Sequence, residues 1–514
     1  MKSRAAHISF AAALLLSAEA RALAQSGETT PQMNSQHESS SLKDLKAPAR
    51  PDSPWPAPDL HAFSKPLRTE QPSEIDTNKD YDLAELIDLA ERTNPETKAA
   101  WERARQAAAS VGLAKSEYYP ILALRATAAY LRAPVPLPVS PTRASFMDVE
   151  LEEARPVAAL EWVLLDFGRR AAEVSAARER LLAANLGFNA RHLDIVFKVQ
   201  TAFYRLSTVR GRITVAQAAL ESAMKVQEAA EERFKHGLAT APDVSLARQQ
   251  AAQAAFDLEE VLSKERDAQV SLAESIGILP TTPIRVADFS RLALPARLEE
   301  TVEQFIDRTL QQRPDLLARV AVLREKEAEI RRARAAYLPT LSFQGEAGGS
   351  FDSSQITLNG NTLPSANNKQ PTWGVGLALT WSLFEGGARK RKVEIAQAGR
   401  AAAEHELEDA KDKAISEVWR YYTDTKLALR RLDVAAALVE ASEKSYQQTF
   451  ESYQHGLGSL VDVLGARREL SSAHYTQLDT RATLLESTAA LAFASGDLGP
   501  RLLNRKHGTL DTRP

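Results

Sequence analysis

The chain has 514 residues, 44% of them hydrophobic, and its 64 basic side chains against 67 acidic ones leave a formal charge of -3. That balance offers no basic surface for nucleic acid, and no run of about 18 apolar residues is present to cross a bilayer as a helix. Cysteine is absent, which excludes disulfides, thiolate metal sites and an acylated anchor cysteine.

The chain starts Met1-Lys2-Ser3-Arg4, continues with an apolar run from Ile8 to Leu16, and reaches Ala22-Leu23-Ala24 before Gln25. This pattern predicts a secretory signal peptide over 1–24. Residues 25–80, rich in Ser, Pro, Gln and charge, cannot bury enough apolar surface to order themselves and are expected to form a flexible arm. Near Tyr81 a short amphipathic helix begins and ends at Thr93-Asn94. Pro95 then opens a second helix, which Pro120 stops.

The period next changes from helical to two. Leu122, Leu124, Ala126 and Tyr130 alternate with Arg125 and Thr127, and Leu160, Trp162 and Leu164 alternate with Ala159, Glu161 and Val163. This predicts a β-hairpin over 121–166, with Ala133 to Glu152 as its loop. From Gly168 the apolar residues Leu186, Leu193, Val196, Phe203, Leu206, Ile213, Ala216 and Leu220 step by 3, 4 or 7, with no proline before Pro242. Coiled-coil helices are therefore expected over 168–236 and 240–276, turning at Gly237. Residues 278–297, broken by Pro280, Pro283 and Pro295, read as an irregular linker.

The cycle then recurs over 298–497. Pro95 matches Pro314, Tyr118 matches Tyr337, Pro120 matches Pro339, Trp162 matches Trp381, Arg170 matches Arg389, His236 matches His455, Asp243 matches Asp462 and Gly277 matches Gly496, each 219 residues apart. The chain is a tandem duplication. In the second copy the hairpin is expected over 340–385. Trp373, Val375, Leu377, Leu379, Trp381 and Leu383 form its apolar face, and Phe351 to Pro371 its polar loop. The long helices are expected over 387–455 and 459–495, before a tail at 498–514.

Four strands of about ten residues, apolar on one face and polar on the other, meet the requirement of a transmembrane β-barrel wall. Trp162 and Trp381 fall at the same end of their strands, where membrane-interface aromatics lie. The other reading is a coiled-coil structural scaffold whose hairpins pack on protein and conduct nothing. Four strands cannot close a barrel, and an open edge in lipid leaves backbone groups unpaired, so the chain must oligomerise. Two copies would give eight strands and three would give twelve.

The duplicated unit resembles the TolC-like outer-membrane factors over about residues 81 to 497. The resemblance is carried by the tyrosine-proline strand entries at 118–120 and 337–339, the exit Leu383-Phe384-Glu385-Gly386-Gly387, and the tips HGLATAPD and HGLGSLVD. It implies an α+β membrane protein in which three copies form a twelve-stranded barrel in outer-membrane lipid, continued by an α-helical tunnel into the periplasm. The implied partners are two further copies of the chain, a periplasmic adaptor and an inner-membrane pump of the RND or ABC type. Residues 25–80 would then be a periplasmic arm, and anchoring would rest on the barrel alone. Carried over residue by residue, Gly237, Leu238, Ala239, Gly456, Leu457 and Gly458 would be adaptor-docking tips, and Asp243 and Asp462 a periplasmic gate. A second family acid is replaced here by Gly465. Thr240 with Asp243, and Ser459 with Asp462, also read as helix-capping boxes. His236 and His455 suit helix C-termini as cations and do not reach metal-site density. No phosphate loop, HExxH helix, GxSxG elbow or reactive cysteine points to an enzyme, and no cofactor or metal is expected.

Overall fold

The computed structural model describes residues 75–497 apart from 77–78, 141–142, 283, 288–293, 295–296 and 359–360. The expected signal peptide, most of the arm and the tail lie outside the described residues. Each repeat begins with two helices whose ends follow from local chemistry. In the first, α1 (Leu83–Thr93) is capped by the Asp82 carboxylate and Glu85 in a reciprocal box. Asn94 ends α1 and caps α2 (Pro95–Ser116), whose proline lacks only an N–H that the first turn would leave unbonded. In the second, Thr301 and Gln304 form the box for α5 (Val302–Gln312), and α6 (Pro314–Ala335) again opens on proline.

The four main strands are β2 (Ile121–Ser140), β3 (Arg143–Leu165), β5 (Thr340–Leu358) and β7 (Ala366–Thr380). They pair antiparallel in the order β2-β3-β5-β7, with the two-residue β6 (Asn361–Thr362) also on β5, which leaves β2 and β7 as edges. The register brings Leu122, Leu160, Gly345 and Val375 level, and likewise Trp162, Phe343 and Leu377. Facing pairs share a side of the sheet, so one face is apolar and carries the exposed Leu122, Leu124, Trp373, Val375, Leu377 and Leu379. The other face carries Arg125, Thr127, Arg155, Glu161, Gln344 and Glu346.

Two expectations about this sheet are corrected. Residues 133–152 are not a loop, because β2 and β3 pair without a shift from Ile121↔Glu161 to Pro138↔Ala144. In the second hairpin β5 runs on to Leu358 and β7 starts at Ala366, so most of 351–371 is strand. At its other end β7 stops at Thr380, and Trp381 to Phe384 follow as irregular chain. The linker is not wholly irregular either. Its Arg285–Val286 pair, β4, lies parallel to β1 (Asp80–Tyr81) and ties the linker to the start of the first repeat.

Beyond the sheet run the long helices α3 (Arg169–Lys235) and α7 (Ala388–Gln454), 67 residues each, and their returns α4 (Ala241–Ile276) and α8 (Leu460–Ser495), 36 each. At 1.5 Å per residue the longer pair reach about 100 Å. α3 packs along α4 on one side and α8 on the other, and α7 packs along α8, giving four adjacent staves. Such helices have no globular core to bury them. Instead the core is divided among clusters along their length. One gathers Leu86, Ile195, Val199, Leu206, Leu272 and Ile276 where α1 meets α3 and α4, and another gathers Val226, Ala230, Tyr453, Leu460 and Val463 near the far turns. Among the described residues no helix is long and apolar enough to cross a membrane.

Candidate functional site

The junction of sheet and helices repeats the same construction twice. In the first repeat the buried Arg170 donates to the Asp166 carboxylate at 2.8 Å and to the carbonyls of Glu117 and Leu164, and its guanidinium lies 4.7 Å from the Tyr118 ring. Arg389 does the same work in the second repeat. It bonds the carboxylate of Glu385 at 2.9 Å and the Ser382 carbonyl, and sits over Tyr337. Trp162 and Trp381 close the construction, each indole N–H donating to the carbonyl of Tyr118 or Tyr337, at 2.8 and 3.1 Å. Both rings stay exposed at the helix-side end of the sheet. The chain enters α7 through Gly386 and Gly387, both with positive φ. Phe167, the mate of Gly386, takes φ 51° against the steric preference of a side-chain-bearing residue.

At the opposite end α3 and α7 stop in matching turns. Gly237 (φ 71°) and Gly456 (φ 78°) supply the left-handed residue. Leu238 N–H reaches the Arg233 carbonyl and Leu457 N–H the Ser452 carbonyl, closing the C-terminal motif that glycine favours. His236 and His455 occupy the C-cap position, one per turn. The turn geometry accounts for the glycines but not for the leucines, which project into solvent with 66% and 86% of their surface exposed. Ala239 and Gly458 are half-buried behind them.

Asp243 and Asp462 both cap helices. The Asp243 carboxylate accepts from Thr240 N–H at 2.9 Å and from its hydroxyl at 2.6 Å. Asp462 accepts from the Ser459 hydroxyl at 2.6 Å. The hydroxyl and backbone bonds from Thr240 hold the Asp243 carboxyl below the usual carboxylate range. These bonds to Asp243 and Asp462 all use Oδ2. The sequence did not reveal Arg233, because its mate 219 positions on is Ser452. From the last turn of α3 it donates to the Tyr453 carbonyl at 2.8 Å and to the Leu238 carbonyl, and it stacks 4.9 Å over the Tyr453 ring. One side chain thus clamps the two tips together. Among the described residues no group of three or more His, Asp or Glu could hold a metal ion.

A sheet apolar outside and polar inside, with two open edges and continued by roughly 100 Å of adjacent helical staves, defines a membrane duct assembled from several copies. The family description "Outer membrane efflux protein" matches residues 86–278 and 305–497, two segments offset by the same 219 residues as the duplication. The chain belongs to that family. It is 28% identical over 430 residues to Protein CyaE of Bordetella pertussis, covering 83% of this chain and 86% of that one. It is 24% identical over 424 residues to the outer membrane protein OprJ of Pseudomonas aeruginosa, covering 80% and 84%. The fold superimposes on the CmeC outer membrane channel of Campylobacter jejuni with a TM-score of 0.67 at 20% identity, covering 88% of this chain and 94% of that one.

The chain is therefore an outer-membrane exit duct for efflux or secretion, seated in the outer membrane and extending into the periplasm. Its fold class is the one expected, four transmembrane strands per chain in a trimeric twelve-stranded barrel with helical hairpins as the tunnel. The family is one of ducts and not of enzymes.

Proposed function

We propose that the duct receives its cargo from an inner-membrane pump of the RND or ABC type through a periplasmic adaptor that docks on the tips at Gly237, Leu238, Ala239, Gly456, Leu457 and Gly458. The observation that carries this is the pair of solvent-exposed leucines at turns whose glycines already satisfy the helix ends. An aliphatic side chain with most of its surface in water at the end of a long stave gains on the order of 1.5–3 kcal/mol when a partner covers it. Two such residues per chain give six in a trimer. Asp243 and Asp462, one turn further on, become two rings of three carboxylates at the tip end of the trimer, which favours cations and serves as a periplasmic gate. Trp162 and Trp381 anchor the barrel at its periplasmic rim, where an indole can bury its ring in lipid and keep its N–H bonded.

The test is dye accumulation in cells that lack the chain, complemented with the wild type or with Leu238→Asp/Leu457→Asp. Docking through the leucines predicts that the double variant reaches the outer membrane as a trimer and yet accumulates dye like the deletion. Normal export by that variant would remove the leucines from the docking surface.

A further inference from the structure

The strands are far longer than the membrane requires, and the excess is built differently from the rest. On β2 the apolar outward row runs from Leu122 to Tyr130, about 30 Å of strand, which at the tilt of roughly 40° usual for such barrels fills nearly the whole ~25 Å apolar band. Above Tyr130 the alternation inverts while the pairing continues unbroken. The outward positions become Arg132, Asp148 and Glu150, together with Pro134, Pro136 and the exposed Phe146, and Arg132 is ion-paired to Asp148 and Glu150. The inward positions, which below were Arg125, Thr127 and Arg155, become Leu131, Val135, Met147, Val149, Leu151 and Ile356.

The barrel also stops being a closed ladder at this level. β7 begins at Ala366, which pairs with Ser354, itself level with Leu151 and Leu131. On the other edge β2 carries Pro134, Pro136 and Pro138, three residues of one parity. Pairing with β3 persists through all three, so the bonds to β3 come from the odd positions, and the missing N–H groups all lie on the free edge. Above Arg132 that edge has no alternate donors with which to bond a neighbouring copy. Each chain therefore raises a separate flap of β2, β3 and β5, with the two-residue β6 on the upper end of β5, above the lipid and about 30 Å long, with its charges on the outer face and an apolar inner face.

We propose that the three flaps of the trimer close on one another through their apolar faces and form a lid over the extracellular exit, a second barrier at the opposite end of the duct from the helical tips. The occupant of each apolar face is the same face of the other copies, because the flap continues the sheet through which the copies already join. Water on both sides of an exit flap would leave Leu131, Val149, Leu151 and Ile356 wet for no gain, whereas mutual burial removes them from water and leaves the acidic outer face solvated. A hydrophobic constriction of this kind also blocks ions by expelling water. The inference rests on the outer-membrane duct reading.

The chain's lack of cysteine makes the test direct. Glu150→Cys, Thr127→Cys and Val149→Cys are made singly in the full chain and exposed in intact cells to a membrane-impermeant maleimide or to a mild oxidant. The lid predicts that Glu150→Cys labels readily and that Thr127→Cys, inside the barrel below the flap, labels about tenfold more slowly. It also predicts disulfide-linked pairs from Val149→Cys, and a Thr127→Cys rate that approaches that of Glu150→Cys when Leu151→Asp is added. Equal labelling of Thr127→Cys and Glu150→Cys in the otherwise unchanged chain would overturn the lid whether or not the other variants assemble. Failure of Glu150→Cys to label at all would overturn the orientation of the duct itself, and the lid with it.

Discussion

Asp462 caps α8 and is also proposed to form a charged ring, and the two roles separate when Ser459 and Asp462 are changed independently. Ser459→Ala removes the hydroxyl that accepts from Asp462 N–H at 3.2 Å and donates to its carboxylate at 2.6 Å, but keeps the charge. Loss of such a cap costs about 1 kcal/mol, so the first turn of α8 opens about fivefold more often. Asp462→Asn keeps an acceptor at the same place and loses three charges per trimer, together with about 0.3–1 kcal/mol of charge–dipole interaction. Reversal potentials in planar bilayers under a potassium chloride gradient report the ring, and hydrogen exchange of residues 460–464 reports the cap. The expectation is that Ser459→Ala speeds exchange and leaves cation preference unchanged, while Asp462→Asn lowers cation preference with a smaller effect on exchange. If Ser459→Ala reproduces the selectivity change of Asp462→Asn, the carboxylate acts only through the turn it caps, and the ring is refuted.

Other perturbations follow from the same geometry. Arg233→Met strips the tip carbonyls of their charged donor and the Tyr453 ring of its cation, a local loss of about 2 kcal/mol, which should appear as faster exchange at Gln454 to Leu457. Unchanged exchange there would mean that the clamp holds nothing. Arg170→Met leaves the buried Asp166 with only the more distant Arg169, at 3.9 Å, as a charged partner, a loss that approaches the roughly 3–5 kcal/mol of a broken buried pair, and trimer heat resistance should fall, with part of the loss recovered in Asp166→Asn/Arg170→Met. The Asp243 carboxyl is held below its ordinary value by Thr240, so its capping contribution is fully present above the ordinary carboxylate pKa. It is lost only as pH falls through the lower folded value, below about pH 4. Exchange of the first turn of α4 should therefore become labile only in acid, and Thr240→Val should move that loss to higher pH.

The duplication made most of the architecture legible before any coordinates, because each element could be read twice at a spacing of 219 residues. What escaped was whatever lacked a mate or broke its own pattern. Arg233 is the first kind, since Ser452 stands at the equivalent place and no repeat comparison could single it out. The upper halves of β2 and β3 are the second kind. Pro134, Pro136 and the acidic run from Asp148 to Glu153 have the composition of a loop, and the inverted alternation conceals a strand from a search for one apolar face. Prolines of one parity on an edge strand cost no ladder bonds, and only the pairing register reveals this. The shortfall of β7 has the opposite cause. Leu383 keeps the apolar alternation going three residues past the strand's end at Thr380. Whether the aspartates act as caps or as a gate could not be settled from the sequence, because a capping box and an acidic ring require the same carboxylate in the same place. Geometry supplies the cap, and the permeation experiment decides the ring.

The helices of the two repeats match in length without exception, at 11, 22, 67 and 36 residues, whereas the hairpins do not, with strands of 20 and 23 residues in one and 19 and 15 in the other. A single residue inserted into one stave would shift everything beyond it by 1.5 Å and turn it by about 100°. Its leucine would then leave the common level at the far end, and its buried alanines would rotate out of contact. Insertions and deletions in this chain are thus filtered very unevenly. The inner half of the molecule can change length only in both repeats at once and in near-whole turns, while the half that faces the outside world is free to grow, shrink and diverge.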